Sequence, residues 1–211
     1  VSGGALGVHG GVCVSPEGMS RIVERGTDNF FAVVQPGVIV EELHNAVEEK
    51  GLMYPPDPAS KGSCTIGGNL AECAGGPRAL KYGVTRDYVT GVRAVLPNGE
   101  TIKSGGRLLK NSTGYSLTQL LIGSEGTLAV ITEITLKLIP LPACNITLLA
   151  PFETPEDAAG ALNAVFMRRI VPCAAEFMDR QAVEAAQDML GKAFPGGPAG
   201  ALLLLQLDGN D

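Results

Sequence analysis

The sequence predicts an α+β fold made of two parts, and three features of the chain lead to this prediction. Strand-like apolar runs alternate with segments of helical periodicity. Glycine is frequent, with 28 residues among 211, which indicates many tight turns or close approaches of the backbone to a ligand. After Pro140 and Pro142 a β-α-β-α-β order begins, which fits an α+β sandwich. We therefore expect one domain over residues 1–140 and part of a second over residues 141–211.

The first part is expected to contain strands and short helices separated by turns. Residues 30–35 form a β-prone run that stops at a Pro-Gly turn, and residues 12–14 are also strand-like. Residues 40–50 carry apolar side chains at helical spacing, and Gly51 follows their end, which predicts an amphipathic helix with a glycine C-cap. Strands are expected at 88–96, 101–103 and 128–139, with a hairpin turn at 97–100. Residues 117–122 fit either a short helix or a strand.

The second part alternates strands with helices. Thr154 followed by Pro155 is an N-cap with proline at the first helical position, so a helix is expected through residue 169. Strands are expected at 146–149, 174–178 and 201–207, and a second helix at 180–192.

Composition excludes several classes of function. The net charge is −6 and no cluster of lysine or arginine is present, which argues against a nucleic-acid partner. No run approaches the ~20 apolar residues of a transmembrane segment. The five cysteines are scattered and contain no C-x-x-C pair, so we expect reduced thiols, a cytoplasmic location and no zinc. Only two histidines are present, and His44 is expected on the solvated face of its helix, so no metal site is expected.

Three nucleotide and nucleophile motifs are missing from the sequence. It contains neither the G-x-G-x-x-G of a dinucleotide-binding Rossmann turn nor the G-x-x-x-x-G-K-[ST] of a P-loop. The G-S-E-G at residues 123–126 does not have the spacing of a G-x-S-x-G nucleophile elbow, so Ser124 is not expected to be a nucleophile.

The most informative stretch spans residues 55–83 and holds two glycine pairs, 67–68 and 75–76. Between them lies a run of small residues that suits one or two helical turns. Glycine lets a ligand approach the backbone, and the first turn of a helix offers unpaired N–H groups and a positive dipole end. The pattern predicts a phosphate or pyrophosphate site that needs no lysine; the alternative is a glycine-rich surface loop.

Asp57 and Glu125 are carboxylates embedded among glycine, proline or small residues. Glu125 is expected either to hydrogen-bond ribose hydroxyls or to cap a turn, and the sequence leaves both interpretations open.

Six segments occur in one order that resembles a known family. They are Gln35-Pro36-Gly37, residues 55–60, 64–69 and 74–83, Lys110-Asn111 with Gly114-Tyr115, and residues 123–128. The series resembles the FAD-binding domain of vanillyl-alcohol-oxidase-type (PCMH-type) flavoproteins, and within them the branch that holds the glycolate oxidase D-subunit and the D-lactate and D-2-hydroxyglutarate dehydrogenases. The resemblance implies a PCMH-type FAD-binding domain over residues 1–140, lacking its N-terminal subdomain, with a mixed or antiparallel sheet and flanking helices. Residues 141–211 would be the N-terminal part of a substrate-side α+β cap domain.

The resemblance also implies the cofactor, FAD, and the residues that bind it. Residues 65–69 and 74–76 would bind its pyrophosphate and flavin ends, and residues 125–131 its adenosine end. The implied cofactor-binding residues are Ser2, Gly3, Gly4, Pro56, Asp57, Cys64, Thr65, Ile66, Gly67, Gly68, Asn69, Ala71, Cys73, Ala74, Gly75, Gly76, Tyr82, Glu125, Gly126, Thr127, Val130 and Ile131. The chain departs from the family at Cys73, where Asn is often found, at Ser116, where Asp is common, and at Ala129, where Gly is usual.

For function, the resemblance implies oxidation of a D-2-hydroxy acid of the glycolate or D-lactate type to the 2-keto acid, by hydride transfer to flavin N5. Electrons would then pass to a quinone or to an electron-acceptor subunit, and such subunits would hold the protein at the inner membrane. Catalytic residues are expected beyond Asp211. Two alternatives remain: another reaction on the same flavin scaffold, such as phenol oxidation or alkyl-glycerone-phosphate synthesis, or a non-catalytic fragment with a partial nucleotide site.

Overall fold

The computed structural model describes residues 6–195 and 199–210. The first part contains strands β1 (Ile22–Gly26), β2 (Phe31–Val34), β3 (Leu52–Met53), β4 (Val89–Val95), β5 (Thr101–Gly105), β6 (Val130–Lys137) and β7 (Ile139–Pro140). Five of them form an antiparallel sheet in the order β1-β2-β6-β4-β5, while β3 pairs with β7. The expected hairpin turn joins β4 to β5, with Gly99 at a φ of +85°. The expected combination of an antiparallel sheet with helices is confirmed.

Four helices accompany this sheet: α1 (Val40–Glu48), α2 (Ile66–Glu72), α3 (Ala79–Tyr82) and α4 (Leu117–Leu121). The apolar side of α1 (Val40, Leu43 and Val47) is buried in the main core. Gly51 has a φ of +71° just beyond its end, as expected from the sequence. Helix α4 settles the ambiguity at residues 117–122 in favour of a helix. Ser116 caps it by accepting a hydrogen bond from the Gln119 amide at 3.2 Å, a role that aspartate also fills well.

The expectation that His44 is solvated is wrong. Its side chain is only 5 % exposed, and its Nε2 lies 3.0 Å from the carbonyl oxygen of Pro56. The ring also lies beside the fully buried Tyr54, with 5.9 Å between ring centroids. His44 is therefore on the buried side of α1 and anchors the proline-rich loop that follows β3. Burial lowers the pKa of His44 from its ordinary value of 6.5, against the attraction of the Asp57 carboxylate, which raises it.

We predict that this histidine makes the stability of the protein depend on pH. The unfolded chain takes up a proton near pH 6.5, whereas folded His44 does so only at lower pH. Stability is therefore full above pH 6.5 and falls as the pH drops below it, by at most about 1.4 kcal/mol per pH unit. Urea unfolding measured between about pH 7.5 and pH 5 tests this prediction.

The matched variants are His44→Gln, which should flatten the pH dependence, and His9→Gln, which should leave it unchanged because His9 is exposed. An equal slope in the wild type and in His44→Gln would contradict the prediction.

The second part contains strands β8 (Cys144–Phe152), β9 (Ala174–Asp179) and β10 (Ala201–Gly209) and helices α5 (Pro155–Met167) and α6 (Arg180–Leu190). The strands form an antiparallel sheet in the order β8-β10-β9. Thr154 caps α5 as expected, since its hydroxyl accepts from the Asp157 amide at 3.2 Å and Pro155 opens the helix.

A small core fills one face of this second sheet, where Leu202 packs with Val183 of α6 and with Leu149 and Met178 of the flanking strands. Leu148 and Phe177 pair with residues of β10 that alternate with Leu202, so they lie on the opposite face, where about half of each side chain is exposed. No helix within the described residues is long and apolar enough to span a membrane.

One local expectation differs from the structure, and some elements of the structure were not expected. Residues 12–14 do not pair as a strand, and Val12 is 93 % exposed, because a β-prone triplet forms a strand only where a neighbouring backbone supplies hydrogen bonds. Strand β1 and helix α3 have no counterpart among the expected elements. The sequence of β1, Ile-Val-Glu-Arg-Gly, does not alternate apolar and polar residues, although alternate residues of this edge strand are half-buried, and α3 is a single turn, too short to show a helical period.

Candidate cofactor site

A groove of about 430 Å³ lies between the first turn of α2 and the start of β6. Its walls are apolar or uncharged, and they bring together segments that are far apart in the sequence. The lining residues are Val12, Val14, Pro16, Pro36, Thr65, Gly67, Gly68, Leu70, Ala71, Leu121, Ser124, Gly126, Ala129, Val130 and Ile131. None of these side chains is ionisable. The volume is within the usual range for small-molecule sites, and the walls suit the flat, apolar portion of a ligand.

Helix α2 is held in place through the amides of its first turn. The Ile66 amide donates to the Val38 carbonyl at 2.7 Å, and the Gly67 amide to the Pro36 carbonyl at 2.8 Å. The Gly68 amide donates to the hydroxyl of the N-cap residue Thr65 at 3.1 Å. The expectation that this turn offers unpaired amides to a pyrophosphate is therefore wrong. The protein itself satisfies them, because the turn is docked against residues 36–38.

The two glycines of the first pair have different surroundings. A Cβ on Gly67 would lie 2.6 Å from the Cβ of Pro36, so glycine is needed there for packing between α2 and the Pro36 turn. A Cβ on Gly68 would meet only the Thr65 hydroxyl at 3.4 Å, and otherwise open space. Since Gly68 lines the groove, its missing side chain leaves room for a ligand and not for a protein neighbour.

The segment that follows α4 closes the groove by bonding to the end of α2. The Gly123 amide donates to the Leu70 carbonyl at 2.9 Å, and the Glu125 amide to the Ala71 carbonyl at 3.0 Å. Glu125 and Gly126 have φ angles of +52° and +74°, so the chain turns sharply there. The glycine-rich segments around residues 67–68 and 123–126 therefore meet in the fold, although about 55 residues separate them in the sequence.

The second glycine pair is placed differently. A Cβ on Gly76 would lie 2.1 Å from the carbonyl oxygen of Asp57, so Gly76 packs against the proline-rich loop. The Asp57 carboxylate pairs with Lys61 at 2.9 Å and with Arg78 at 3.5 Å. Gly75 and Gly76 are therefore explained by contacts within the protein, and neither lines the groove.

Asn69 is buried beside the groove, and the protein does not satisfy all of its side-chain hydrogen-bonding groups. Its side chain is 1 % exposed, and its Nδ2 donates to the Tyr54 hydroxyl at 3.3 Å. Its Oδ1 is buried and has no hydrogen-bond partner among the described residues. A buried acceptor without a donor costs about 1–3 kcal/mol, so this oxygen is a candidate acceptor for a donor on a bound group. Burial also raises the pKa of the Tyr54 phenol, which stays protonated.

The residues expected to bind the cofactor thus fall into three sets. Those that line the groove are Thr65, Gly67, Gly68, Ala71, Gly126, Val130 and Ile131. Those that the structure places outside its lining are Pro56, Asp57, Cys64, Ile66, Asn69, Cys73, Ala74, Gly75, Gly76, Tyr82, Glu125 and Thr127. Ser2, Gly3 and Gly4 lie outside the described residues. Binding of the cofactor by any of these residues stays a prediction.

Contacts within the protein account for several members of the second set. Cys73 ends α2 in the left-handed conformation, with a φ of +51°, and its Sγ accepts from Arg86 Nε at 3.4 Å. Asparagine adopts this conformation readily, so it would also suit this position. The Tyr82 hydroxyl donates to the Asp208 carboxylate at 2.8 Å, and the Glu125 side chain is exposed.

Sequence reasoning missed the apolar walls that Leu70 and Leu121 form, whereas Ala129 lies within the segment 125–131 that was expected to contact the cofactor. A signal for Leu70 and Leu121 existed, because each lies within three positions of a glycine-rich segment of the site. Apolar residues in short helices are, however, usually core residues, and these two are buried in the core as well. Among the described residues, no group of three or more histidine, cysteine, aspartate or glutamate side chains is arranged to hold a metal.

Comparison with known proteins shows which family the chain belongs to. Residues 1–105 match the family model of the FAD binding domain, and residues 141–211 match that of the C-terminal domain of FAD linked oxidases. The chain belongs to the FAD-linked oxidase family. The resemblance found in the sequence is thereby confirmed, and so is FAD as the cofactor of the family.

Relatives of this chain are similar over 71 % to 99 % of its length. A D-lactate dehydrogenase of Anaerostipes hadrus is 46 % identical over 99 % of the chain and 45 % of the relative. The glycolate oxidase subunit GlcD of Bacillus subtilis is 45 % identical over 98 % of the chain and 44 % of the relative. A D-2-hydroxyglutarate dehydrogenase of Xanthomonas citri pv. viticola is 44 % identical over 71 % of the chain and 32 % of the relative. The chain thus spans less than half the length of these relatives.

Solved structures show the same fold. An alkyldihydroxyacetonephosphate synthase superposes with a TM-score of 0.74 at 24 % identity, covering 91 % of the chain and 37 % of the synthase. The expected PCMH-type FAD-binding fold is confirmed. The residues of the groove fit FAD on two observations: the space in front of Gly68 is open, and the neighbouring Asn69 has a buried amide oxygen without a donor.

Proposed function

We propose that this FAD-linked oxidase oxidises a D-2-hydroxy acid of the glycolate or D-lactate type to the 2-keto acid. The observation that carries the proposal is the 46 % identity to a D-lactate dehydrogenase over 99 % of the chain. The uncharged groove beside Gly68 supports it, because the groove suits an aromatic dinucleotide cofactor. FAD, when bound, supplies the acceptor for the two electrons removed from the substrate.

The residues of this chain bind and orient the cofactor in the proposal. Leu70, Leu121 and Val130 form apolar walls that exclude water, and Gly68 permits close approach to the backbone. The buried Oδ1 of Asn69 accepts a hydrogen bond from an N–H or O–H of the bound group. None of the lining side chains is ionisable, so we assign no proton transfer to the groove.

We further propose that an electron-acceptor subunit or a quinone takes the electrons, because one relative is named as a subunit of glycolate oxidase. A reducing, cytoplasmic compartment is part of the same proposal. It is supported by the five cysteines, all of which are free.

The proposal predicts that the protein carries FAD and that a D-2-hydroxy acid bleaches its yellow absorbance under anaerobic conditions. Bound flavin is measured first, by absorbance and fluorescence after gel filtration. D-lactate, glycolate and D-2-hydroxyglutarate are then added separately, with L-lactate as the control of opposite configuration. At least one of the three acids should bleach the flavin, and L-lactate should bleach it at least about tenfold more slowly. Retained flavin that none of the three acids reduces would contradict the proposed substrate class.

A further inference from the structure

The C-terminal domain contacts the FAD-binding domain through one buried carboxylate. Asp208, near the end of β10, has a side chain that is only 5 % exposed. Lys81 Nζ lies 2.5 Å from its Oδ1, and the Tyr82 hydroxyl donates to its Oδ2 at 2.8 Å. Lys81 also donates to the Asp208 backbone carbonyl at 3.1 Å. Both donors belong to α3, the single turn that follows the second glycine pair.

The hydrogen bonds of Asp208 are what joins the side chains of the two parts of the chain within the described residues. Within the described ranges, every side-chain hydrogen bond between residues 6–140 and residues 144–210 involves Asp208. An exposed ion pair contributes little to stability, but a buried carboxylate that accepts two hydrogen bonds is strongly coupled to its donors. Losing either donor would leave a charge poorly satisfied in a site that water scarcely reaches.

The groups around Asp208 favour its charged form. Burial alone would raise the pKa of Asp208, but the hydrogen bonds from Lys81 and Tyr82 offset this effect, and the pKa is lowered overall. On the other side lies Cys173, which is fully buried and whose thiol donates to the Gln206 carbonyl at 3.3 Å. Burial and the Asp208 charge raise the pKa of Cys173, while the more distant Arg78 acts in the opposite direction.

Helix α3 is itself tied to the loop that contacts Gly76. Arg78, directly before α3, pairs with the carboxylate of Asp57, whose carbonyl oxygen faces Gly76. A continuous set of contacts therefore runs from the second glycine pair through Asp57, Arg78 and α3 to Asp208.

We propose that Asp208 is a positioning residue that fixes the C-terminal domain against α3 of the FAD-binding domain. Its consequence for catalysis rests on the proposed function, since an oxidase that holds cofactor and substrate on different domains needs a fixed relation between them. The structural consequence does not depend on the proposed function, and it can be tested without flavin or substrate.

Cys173 is buried close enough to Arg78, Lys81 and Tyr82 for their charges to influence one another, so we expect its accessibility to report whether the domains stay together. We would measure its modification by N-ethylmaleimide in the native protein, by mass spectrometry of the cysteine-containing peptides. Asp208→Asn should accelerate modification of Cys173 by about ten- to a hundredfold, the factor that corresponds to one hydrogen bond to a charged group. Asp208→Asn also removes a charge that raises the pKa of Cys173, and this alone would speed modification of the thiol. Tyr82→Phe removes only one oxygen atom and keeps that charge, so it is the decisive variant and should produce a smaller acceleration. It also keeps the test valid if Asp208→Asn does not fold.

Other cysteines separate domain opening from general unfolding. Cys64 and Cys73 are half-buried in the FAD-binding domain, and their modification should keep the wild-type rate. The exposed Cys144 should react quickly in every variant, and Asp188→Asn, an exposed aspartate on α6, is the matched control that should change nothing.

Combining substitutions at Lys81 and Asp208 then tests whether the two residues act through the same contact. Lys81→Met combined with Asp208→Asn should accelerate Cys173 no more than Asp208→Asn alone, because both substitutions break the same contact. Unchanged modification of Cys173 in folded Tyr82→Phe would overturn the proposal, because an acceleration confined to Asp208→Asn would follow from the lost charge alone. Equal acceleration of Cys64, Cys73 and Cys173 would also overturn it, because the effect would then be general unfolding. Neither outcome bears on FAD binding or on substrate oxidation.

Discussion

Replacing Gly68 by valine is expected to abolish FAD binding while the protein stays folded. A side chain at position 68 meets only the Thr65 hydroxyl at 3.4 Å within the protein, so it extends into the groove. The fold should tolerate the change, because valine is no worse than glycine inside a helix by intrinsic propensity. The affinity for FAD should fall at least about a hundredfold, a loss of about 2.7 kcal/mol, since the new methyl groups occupy the space of the ligand.

Fluorescence titration with FAD measures the loss, and circular dichroism and urea unfolding verify that the variant is folded. Gly160→Val is the matched control, because Gly160 also lies inside a helix with open space around it but does not line the groove. It should bind FAD like the wild type. Normal FAD affinity in folded Gly68→Val would show that the groove beside α2 is not the cofactor site.

The contrast between the two glycine pairs shows how much of the site the sequence could predict. Both glycine pairs were expected to lie where the backbone is approached closely, and the structure shows such an approach within the protein at Gly67 and Gly76 but not at Gly68. The sequence cannot tell what lies in front of each glycine. Gly68 faces the open groove, Gly67 faces the Pro36 ring, and Gly76 faces the Asp57 carbonyl. Each requires the same missing Cβ, so the sequence pattern is identical for ligand contact and for tight internal packing.

The same limit applies to the amides of α2. A short run of small residues predicted a helix, and α2 forms there, but a helix start offers free amides only when nothing else bonds to them. Residues 36–38, some 30 positions earlier, supply the carbonyl acceptors, and this pairing is tertiary. Local signals made three elements predictable: the apolar spacing of α1, the Thr154-Pro155 start of α5 and the aliphatic run of β10. The burial of His44 was not predictable, since the partner that buries it, Tyr54, lies on a different element.

The junction between the domains also escaped prediction, for a related reason. Asp208 closes an apolar strand and resembles any polar residue at the end of a strand, and Tyr82 was expected to contact the cofactor. Only the fold brings them together across more than 120 positions. Long-range polar pairs of this kind leave no period or local spacing in a single sequence.

Replacing Gly76 by alanine is expected to have the opposite result to Gly68→Val: the protein loses stability before any effect on FAD can be measured. The added Cβ would lie 2.1 Å from the Asp57 carbonyl oxygen, and the backbone at Gly76 has a φ of +139°, which non-glycine residues rarely adopt. The strained backbone costs about 1–3 kcal/mol and the displacement of the Asp57 loop a similar amount, so we expect a total near 4 kcal/mol. That is a large part of the 5–15 kcal/mol that typically holds a domain folded.

Urea unfolding of Gly76→Ala measures this cost, and Gly99→Ala is the control that separates its two causes. Gly99 has a φ of +85° in the β4–β5 hairpin and open space around it, so alanine there adds backbone strain without a clash. It should cost only about 1 kcal/mol. If Gly76→Ala lost no more stability than Gly99→Ala, the close packing of the second glycine pair on the Asp57 loop would be disproved. The pair would then be free to contact the cofactor, as the family resemblance implies.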